Sequence, residues 1–159
     1  FVSHYQCPVA AGETRVACEG GKNGIMPTNL GAHPHFHDRG ALKWYTSLSE
    51  GLAAAKAERK KVFIEYGRAA CGACRALVEG AIPHEAVKAR LNESFVAVAI
   101  DCDQPATEVE DLRDLHMPWA RSLPFVFYTD EKGQFLHGTS GGRSAAELLD
   151  DIAQVASRK

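Results

Sequence analysis

The chain has 159 residues, a length that is enough for one domain with a buried core. Its 45% hydrophobic and 24% charged residues are typical of globular proteins, and a net charge of −2 argues against a nucleic-acid partner or an anionic membrane surface. The apolar runs are much shorter than the roughly 20 residues that a membrane-spanning helix needs, so we expect no membrane span.

Residues 1–40 are rich in glycine and proline and keep neither a helical nor a strand period. This composition predicts an irregular N-terminal arm, followed by one organised domain over residues 41–159. Cys7 and Cys18 could form a disulfide that closes a small loop in the arm. The alternative is that both thiols are free or pair with other cysteines.

The arm ends in three alternating histidines, His33, His35 and His37, followed by Asp38. In an extended segment alternate side chains point the same way, so the three rings could share one face. Imidazole nitrogens are ligands for copper and zinc, which makes this segment a candidate metal site. The alternative is an ordinary polar loop exposed to solvent.

The organised domain begins with a short apolar stretch at residues 42–45, which predicts a strand. Ser47 and Glu50 have the spacing of a capping box and predict a helix over residues 48–60. The apolar run that follows predicts a central strand at residues 62–66.

The rest of the chain alternates between helical and strand patterns. The helix after the central strand should be interrupted near Pro83, because proline lacks the N–H that a helix interior needs. Ser144 and Glu147 should cap the last helix. The remaining predicted elements are a helix at 85–91, a doubly buried strand at 95–100, a helix at 107–115, a strand at 122–128, a turn at 130–133 and an antiparallel strand at 134–137.

Cys71 and Cys74 form a Cys-x-x-Cys pair between the central strand and the following helix. This position is typical of a redox dithiol. Backbone N–H groups and the helix dipole stabilise a thiolate at the helix start, so Cys71 should be the nucleophile and Cys74 the resolving cysteine. The alternative is half of a zinc site, which would need a second pair of ligands.

The element order resembles that of the thioredoxin superfamily from residue 42 to the C-terminus. The resemblance depends on that order and on two motifs, Cys71-Gly72-Ala73-Cys74 and Leu123-Pro124. It implies an α/β, thioredoxin-like fold with a central mixed sheet of four to five strands and helices on both faces. The motifs look most like those of small extracytoplasmic thiol–disulfide oxidoreductases.

The resemblance also implies site roles. Pro124 matches the family's cis-proline, which would place the backbone of Leu123 beside the dithiol for pairing with a substrate strand. Glu65 occupies the family's buried acid position and would accept a proton from Cys74 during resolution. The predicted substrate-binding residues are Leu123, Gly72, Ala73 and Ala70.

Two residues depart from the family pattern. Ala70 stands where an aromatic residue is usual, and Ala73 replaces the usual proline inside the motif. These changes should alter which partner docks and leave the direction of electron flow open.

The leading hypothesis is therefore a monomeric thiol–disulfide oxidoreductase that acts on protein disulfides or dithiols. It would need no organic cofactor but would need an upstream redox partner. The alternatives are a copper-binding or chaperone module that uses His33, His35 and His37, and an adaptor with an inactive dithiol.

The five cysteines lead to two further expectations, one about the cellular compartment and one about Cys102. A second disulfide would favour an oxidising, extracytoplasmic compartment such as a periplasm or a secretory lumen. Cys102 is left over; it is either a small buried apolar residue or a regulatory or arm-tethering thiol.

Overall fold

The computed structural model describes residues 31–104 and 107–158. The predicted Cys7–Cys18 bridge and most of the predicted arm lie outside the described residues. The described chain forms five strands and five helices. The strands are β1 (Trp44–Tyr45), β2 (Lys61–Gly67), β3 (Phe95–Asp101), β4 (Phe125–Thr129) and β5 (Phe135–Ser140). The helices are α1 (Leu48–Glu58), α2 (Gly72–Arg75), α3 (Glu85–Ser94), α4 (Thr107–His116) and α5 (Ala145–Ala156), and a π-helical segment (Ala76–Ala81) continues α2.

The strands form one mixed sheet in the order β1-β3-β2-β4-β5. β1 and β2 both pair in parallel with β3, whereas β4 is antiparallel to both β2 and β5. In this register Glu65 on β2 lies between Ala99 on β3 and Val126 on β4. The central strand therefore places Glu65 in the middle of the sheet, with a neighbour strand on each side.

Each face of the sheet carries its own hydrophobic cluster, because successive strand residues point to opposite faces. On β2, Val62 and Ile64 pack into one cluster with residues of α1 and α4. Phe63 packs into the other, which contains residues of α2, α3 and α5. The predicted mixed sheet with helices on both faces is confirmed.

The helix after β2 does not keep one geometry along its length. Its first turn is α-helical, and residues 76–81 then adopt π-helical hydrogen bonding before the chain reaches Pro83. The predicted interruption thus takes the form of a widened turn ahead of the proline, followed by α3. Short π-helical segments are rare in helices, and those that do occur are often at functional sites.

Residues 31–43 are packed on the domain rather than extended away from it. Phe36, Ala41 and Leu42 belong to the cluster that also holds Cys74. The compact unit begins at Gly31, upstream of the predicted boundary at residue 41. The histidine segment is therefore part of the domain.

In the part of the chain that the structure describes, no helix combines the length and the apolar character required to cross a bilayer.

Candidate active site

Cys71 and Cys74 are joined by a disulfide whose Cα atoms are 5.2 Å apart. Cys71 is the N-cap of α2, and its sulfur accepts a hydrogen bond from the Cys74 N–H at 3.1 Å. Its side chain is half-buried, whereas Cys74 is 0% exposed. The two cysteines are bonded to each other, so the pair does not have the form of the zinc half-site considered above. A partner molecule could reach Cys71 but not Cys74.

The strand that precedes the dithiol brings Glu65 beneath it. Glu65 shares its face of β2 with Phe63 and is only 2% exposed. A carboxylate in an apolar core is costly unless its oxygens find partners. One oxygen, Oε2, lies 2.9 Å from Nε2 of His33. The other, Oε1, is buried and has no hydrogen-bond partner among the described residues.

The free oxygen of Glu65 and the sulfur of Cys74 both lie next to Gly67. A Cβ atom built on Gly67 would lie 2.5 Å from Glu65 Oε1 and 2.7 Å from Cys74 Sγ. The carboxylate and the sulfur therefore border the same small space and are separated by no more than the sum of these distances. Because Gly67 has no side chain, the Glu65 carboxylate and the Cys74 sulfur can both occupy the space beside it.

The ring of His33 is fixed at both nitrogens. Its Nδ1 accepts hydrogen bonds from the backbone N–H groups of His35 and Phe36, each at 3.1 Å. A nitrogen that accepts two N–H bonds carries no proton, so the ring proton is on Nε2 and is donated to Glu65. The sequence patterns did not predict this pair, because His33 was expected only as a metal ligand. The position of Glu65 could have indicated such a pair. Its side chain faces the interior from a buried strand, and a buried carboxylate needs a polar partner.

The structure does not support the predicted copper or zinc site at His33, His35 and His37. The three rings have separate partners: His33 contacts Glu65, His35 contacts Asp101 at 3.2 Å, and Nδ1 of His37 accepts from the N–H of Arg39. The segment bends instead of staying extended, so the three rings do not share one face. The rings of His33 and His35 are 5.9 Å apart, but their nitrogens contact different carboxylates. Over residues 31–104 and 107–158, the one group of three metal-ligand side chains close together is Asp101, Cys102 and Asp103.

The peptide bond between Leu123 and Pro124 is cis. Pro124 is buried, and the half-buried Leu123 packs against the same hydrophobic cluster as Cys71. The other predicted substrate-binding residues, Ala70, Gly72 and Ala73, are exposed around the dithiol. The loop after β5 approaches them, since a Cβ on Gly142 would lie 4.0 Å from the Cβ of Ala73. Small side chains thus surround the exposed side of the motif.

Cys102 lies at the end of β3 and is partly exposed. The Nε–H of Arg68 donates to its sulfur at 3.3 Å, and the guanidinium also contacts Asp103 at 3.2 Å. The hydrogen bond to Cys102, with the Asp103 carboxylate nearby, raises the pKa of Arg68. The guanidinium is therefore engaged at the end of β3. Cys102 is partly exposed, and its two predicted roles, a small buried apolar residue or a regulatory or arm-tethering thiol, stay predictions.

A hydrogen bond joins the opposite face of β2 to α4. The Tyr66 hydroxyl donates to Glu110, and burial followed by this hydrogen bond raises the pKa of Tyr66. The hydroxyl therefore remains a neutral donor at ordinary pH and ties α4 to the central strand. Tyr66 points away from the dithiol and takes no part in the site.

Several solved structures share this fold. A thioredoxin from Thermus thermophilus matches with a TM-score of 0.61 and 23% identity over 74% of this chain and 88% of its own. A putative disulphide-isomerase from Bacteroides thetaiotaomicron matches with a TM-score of 0.59 and 22% identity, and the match covers 73% of this chain and 92% of its own. A disulphide isomerase from Xylella fastidiosa matches with a TM-score of 0.55 and 23% identity, and the match covers 69% of this chain and 88% of its own. At these identities the likeness shows the fold.

Curated proteins match over a shorter stretch. Spermatogenesis-associated protein 20 from Rattus norvegicus is 31% identical over 68 residues, which is 43% of this chain. An uncharacterized protein from Caenorhabditis elegans, B0495.5, is 28% identical over a stretch of the same length. This chain spans about 9% of the length of these relatives.

A family model described as thioredoxin-like matches residues 43–130. This range is more than half of the chain and contains the dithiol, Glu65 and the Leu123–Pro124 bond. The resemblance seen in the sequence, the five-stranded mixed sheet and the Cys71–Cys74 disulfide all agree with this match. The chain belongs to the thioredoxin-like family.

Proposed function

We propose that this protein is a thiol–disulfide oxidoreductase that acts on protein disulfides through Cys71 and Cys74. The observation that carries the proposal is the unequal burial of the two cysteines, with the buried one next to a free carboxylate oxygen. This arrangement supports a division of roles, in which one sulfur meets the substrate and the other completes the exchange.

In the first step the Cys71 thiolate attacks one sulfur of a substrate disulfide. A bond forms between Cys71 and that sulfur, and the second substrate sulfur leaves as a thiolate that takes a proton from solvent. The N–H of Cys74, which points at the Cys71 sulfur, stabilises the attacking thiolate.

In the second step Cys74 gives its thiol proton to Oε1 of Glu65 and attacks the Cys71 sulfur. The mixed disulfide breaks, the substrate sulfur leaves as a thiolate, and Cys71 and Cys74 become the disulfide seen here. The substrate disulfide has gained two electrons and the dithiol has lost two. A reductant from a separate redox partner then restores the dithiol. The same steps in reverse oxidise a substrate dithiol.

The exposed small residues Ala70, Gly72 and Ala73 would form the surface on which a substrate segment lies, with the backbone of Leu123 as its pairing partner. A monomeric state and an oxidising, extracytoplasmic compartment stay predictions. The structure favours neither the metal-binding alternative nor an adaptor.

The test is reduction of a protein disulfide, such as those of insulin, in the presence of dithiothreitol. We expect the protein to accelerate the reduction well above dithiothreitol alone, and the same protein with alkylated thiols to have no effect. Equilibration of Cys71 and Cys74 with a series of glutathione redox buffers then gives the reduction potential of the pair and so the direction of electron flow. A reduction potential near that of thioredoxin indicates a reductase, whereas a much higher reduction potential indicates an oxidant or isomerase. A rate equal to that of dithiothreitol alone would reject the proposal.

Glu65→Gln should slow the second step and leave the first unchanged, because the amide cannot accept the thiol proton. Loss of a general base typically slows a proton-transfer step on the order of 100-fold. The measurement is the lifetime of the mixed disulfide after rapid mixing with substrate. Glu79→Gln is the matched control, since Glu79 bonds Arg75 and the N–H of His37. Equal lifetimes for Glu65→Gln and the wild type would remove the role of Glu65.

A further inference from the structure

The buried pair of His33 and Glu65 has a consequence for the path of the proton. We propose that His33 is a positioning residue whose Nε2–H holds Oε2 of Glu65, so that the carboxyl exchanges its proton through Oε1, next to Cys74. This inference rests on the proposed function, because it concerns the acid of the resolution step.

The contact is made from Nε2 of His33 because the other nitrogen is already engaged. Two backbone N–H groups donate to Nδ1, so the ring has one proton, and that proton points at Glu65 Oε2 over 2.9 Å. Oε2 accepts this hydrogen bond, which lowers its affinity for a proton relative to that of Oε1. Oε1 has no hydrogen-bond partner among the described residues and borders Gly67 together with the Cys74 sulfur, so it is the oxygen that takes up a carboxyl proton first.

The ring is closely packed. It stacks on Phe36 with a centroid distance of 5.4 Å and is perpendicular to the ring of Trp44 at a centroid distance of 4.8 Å. Its exposed side-chain fraction is 1%. Packing of this kind limits the motion of the ring, and the hydrogen bonds at its two nitrogens select the orientation seen here.

The segment that carries the ring is itself tied to the domain. Asp38 accepts hydrogen bonds from the N–H groups of Gly40 and Leu42 and from the indole N–H of Trp44. The N–H of Trp44 in turn donates to the carbonyl of Gly31 at 2.7 Å. The segment upstream of β1 is thus folded into a loop that holds His33 over Glu65.

His33 does not act as a proton relay. A relay needs a ring nitrogen that can release a proton to an acceptor on the far side, and Nδ1 faces two N–H donors instead. The proton taken from Cys74 therefore stays on the dithiol side of Glu65. From there it can return to the departing substrate sulfur or pass to solvent at the dithiol.

Two substitutions separate the two nitrogens of the ring. His33→Asn places an oxygen near the position of Nδ1, which keeps the acceptor for the two backbone N–H groups, but its side chain is too short to reach Glu65. His33→Gln extends an amide N–H towards Glu65 and loses the acceptor. His35→Gln is the matched control, because His35 contacts Asp101 and not Glu65.

The first measurement is the lifetime of the mixed disulfide for these variants. We expect His33→Asn to resolve about tenfold more slowly than the wild type, since an unheld carboxylate loses its alignment with Cys74. His33→Gln should resolve within about twofold of the wild type, as should His35→Gln. All should form the mixed disulfide at the wild-type rate. Thermal unfolding shows whether each variant is folded.

The second measurement does not depend on activity or on any variant. The ¹⁵N chemical shifts of the His33 side chain in the wild type should give the Nε2–H tautomer, in both the oxidised and the reduced protein. An Nδ1–H tautomer would overturn the inference. So would wild-type resolution by His33→Asn, or equal slowing by His33→Asn and His33→Gln, which would indicate a purely structural role. A wild type that formed no mixed disulfide would reject the proposed function, while the tautomer would still decide the contact.

Discussion

Replacing Cys74 with serine should convert the protein into a stable covalent trap for its substrates. Cys71 is accessible and would still attack a substrate disulfide, but a serine hydroxyl cannot displace the resulting mixed disulfide. We expect the adduct to accumulate to nearly one substrate per protein molecule, whereas the wild-type adduct should be transient. Intact-mass spectrometry under non-reducing conditions measures this, and peptide mapping shows which cysteine holds the substrate.

Cys71→Ser is the matched partner of this experiment, because of the two motif cysteines it leaves the one that is 0% exposed. It should form almost no adduct at the motif and should abolish catalysed reduction. Both variants are best made with Cys102→Ser, since Cys102 is partly exposed and could react by itself. Equal adduct formation by Cys71→Ser and Cys74→Ser would contradict the assigned roles.

The second large effect is expected from adding one methyl group at Gly67. In Gly67→Ala the new Cβ would come closer than 3.0 Å to both Glu65 Oε1 and Cys74 Sγ, so at least one of them must move. Gly67 lies in β2, and its requirement is one of space and not of backbone conformation. Overpacking in a core typically costs about 1–3 kcal/mol of stability. Displacement of reacting groups by about 1 Å can cost on the order of 100-fold in rate.

We therefore expect Gly67→Ala to be both less stable and much slower in disulfide exchange. Urea unfolding and the insulin assay measure the two effects. Gly80→Ala is the control: Gly80 is exposed in the π-helical segment, and a Cβ there meets nothing within 4 Å. It should keep wild-type activity. If Gly67→Ala matched Gly80→Ala in both measurements, the acid and the sulfur would not share the space described here.

The two experiments address different parts of the same proposal. The cysteine variants test which sulfur meets the substrate, and this follows from burial alone. The Gly67 and Glu65 variants test whether the carboxylate serves the second sulfur. A trap that forms with Cys74→Ser, combined with normal resolution by Glu65→Gln, would retain the oxidoreductase and remove the acid from its mechanism.

Much of the fold follows from local patterns. The apolar runs at β2, β3 and β4 are too hydrophobic for exposed strands, and their alternation with helical segments indicates a sheet covered on both faces. The dithiol could also be predicted from a local pattern, because the strand, the two cysteines and the start of the helix are adjacent in the sequence. The position of Glu65 under the dithiol follows from the same short stretch, together with the family resemblance.

The metal-site prediction shows where such patterns stop being informative. Alternating histidines share a face only if the backbone stays extended, and nothing within residues 33–37 decides that. In the folded chain Phe36 enters the core and the N–H groups of His35 and Phe36 turn towards His33. These contacts depend on the sheet against which the segment packs.

The sequence by itself determined the thioredoxin-like fold, the order of its elements and the identity of the dithiol, because each depends on residues close together in the chain. Only the tertiary structure decided that His33 meets Glu65 across 32 positions, that Gly67 leaves room between the acid and Cys74, and that Cys71 alone of the pair is accessible. The reason is that hydrophobic periodicity reports which face of an element is buried. It does not report which distant segment is packed against that face.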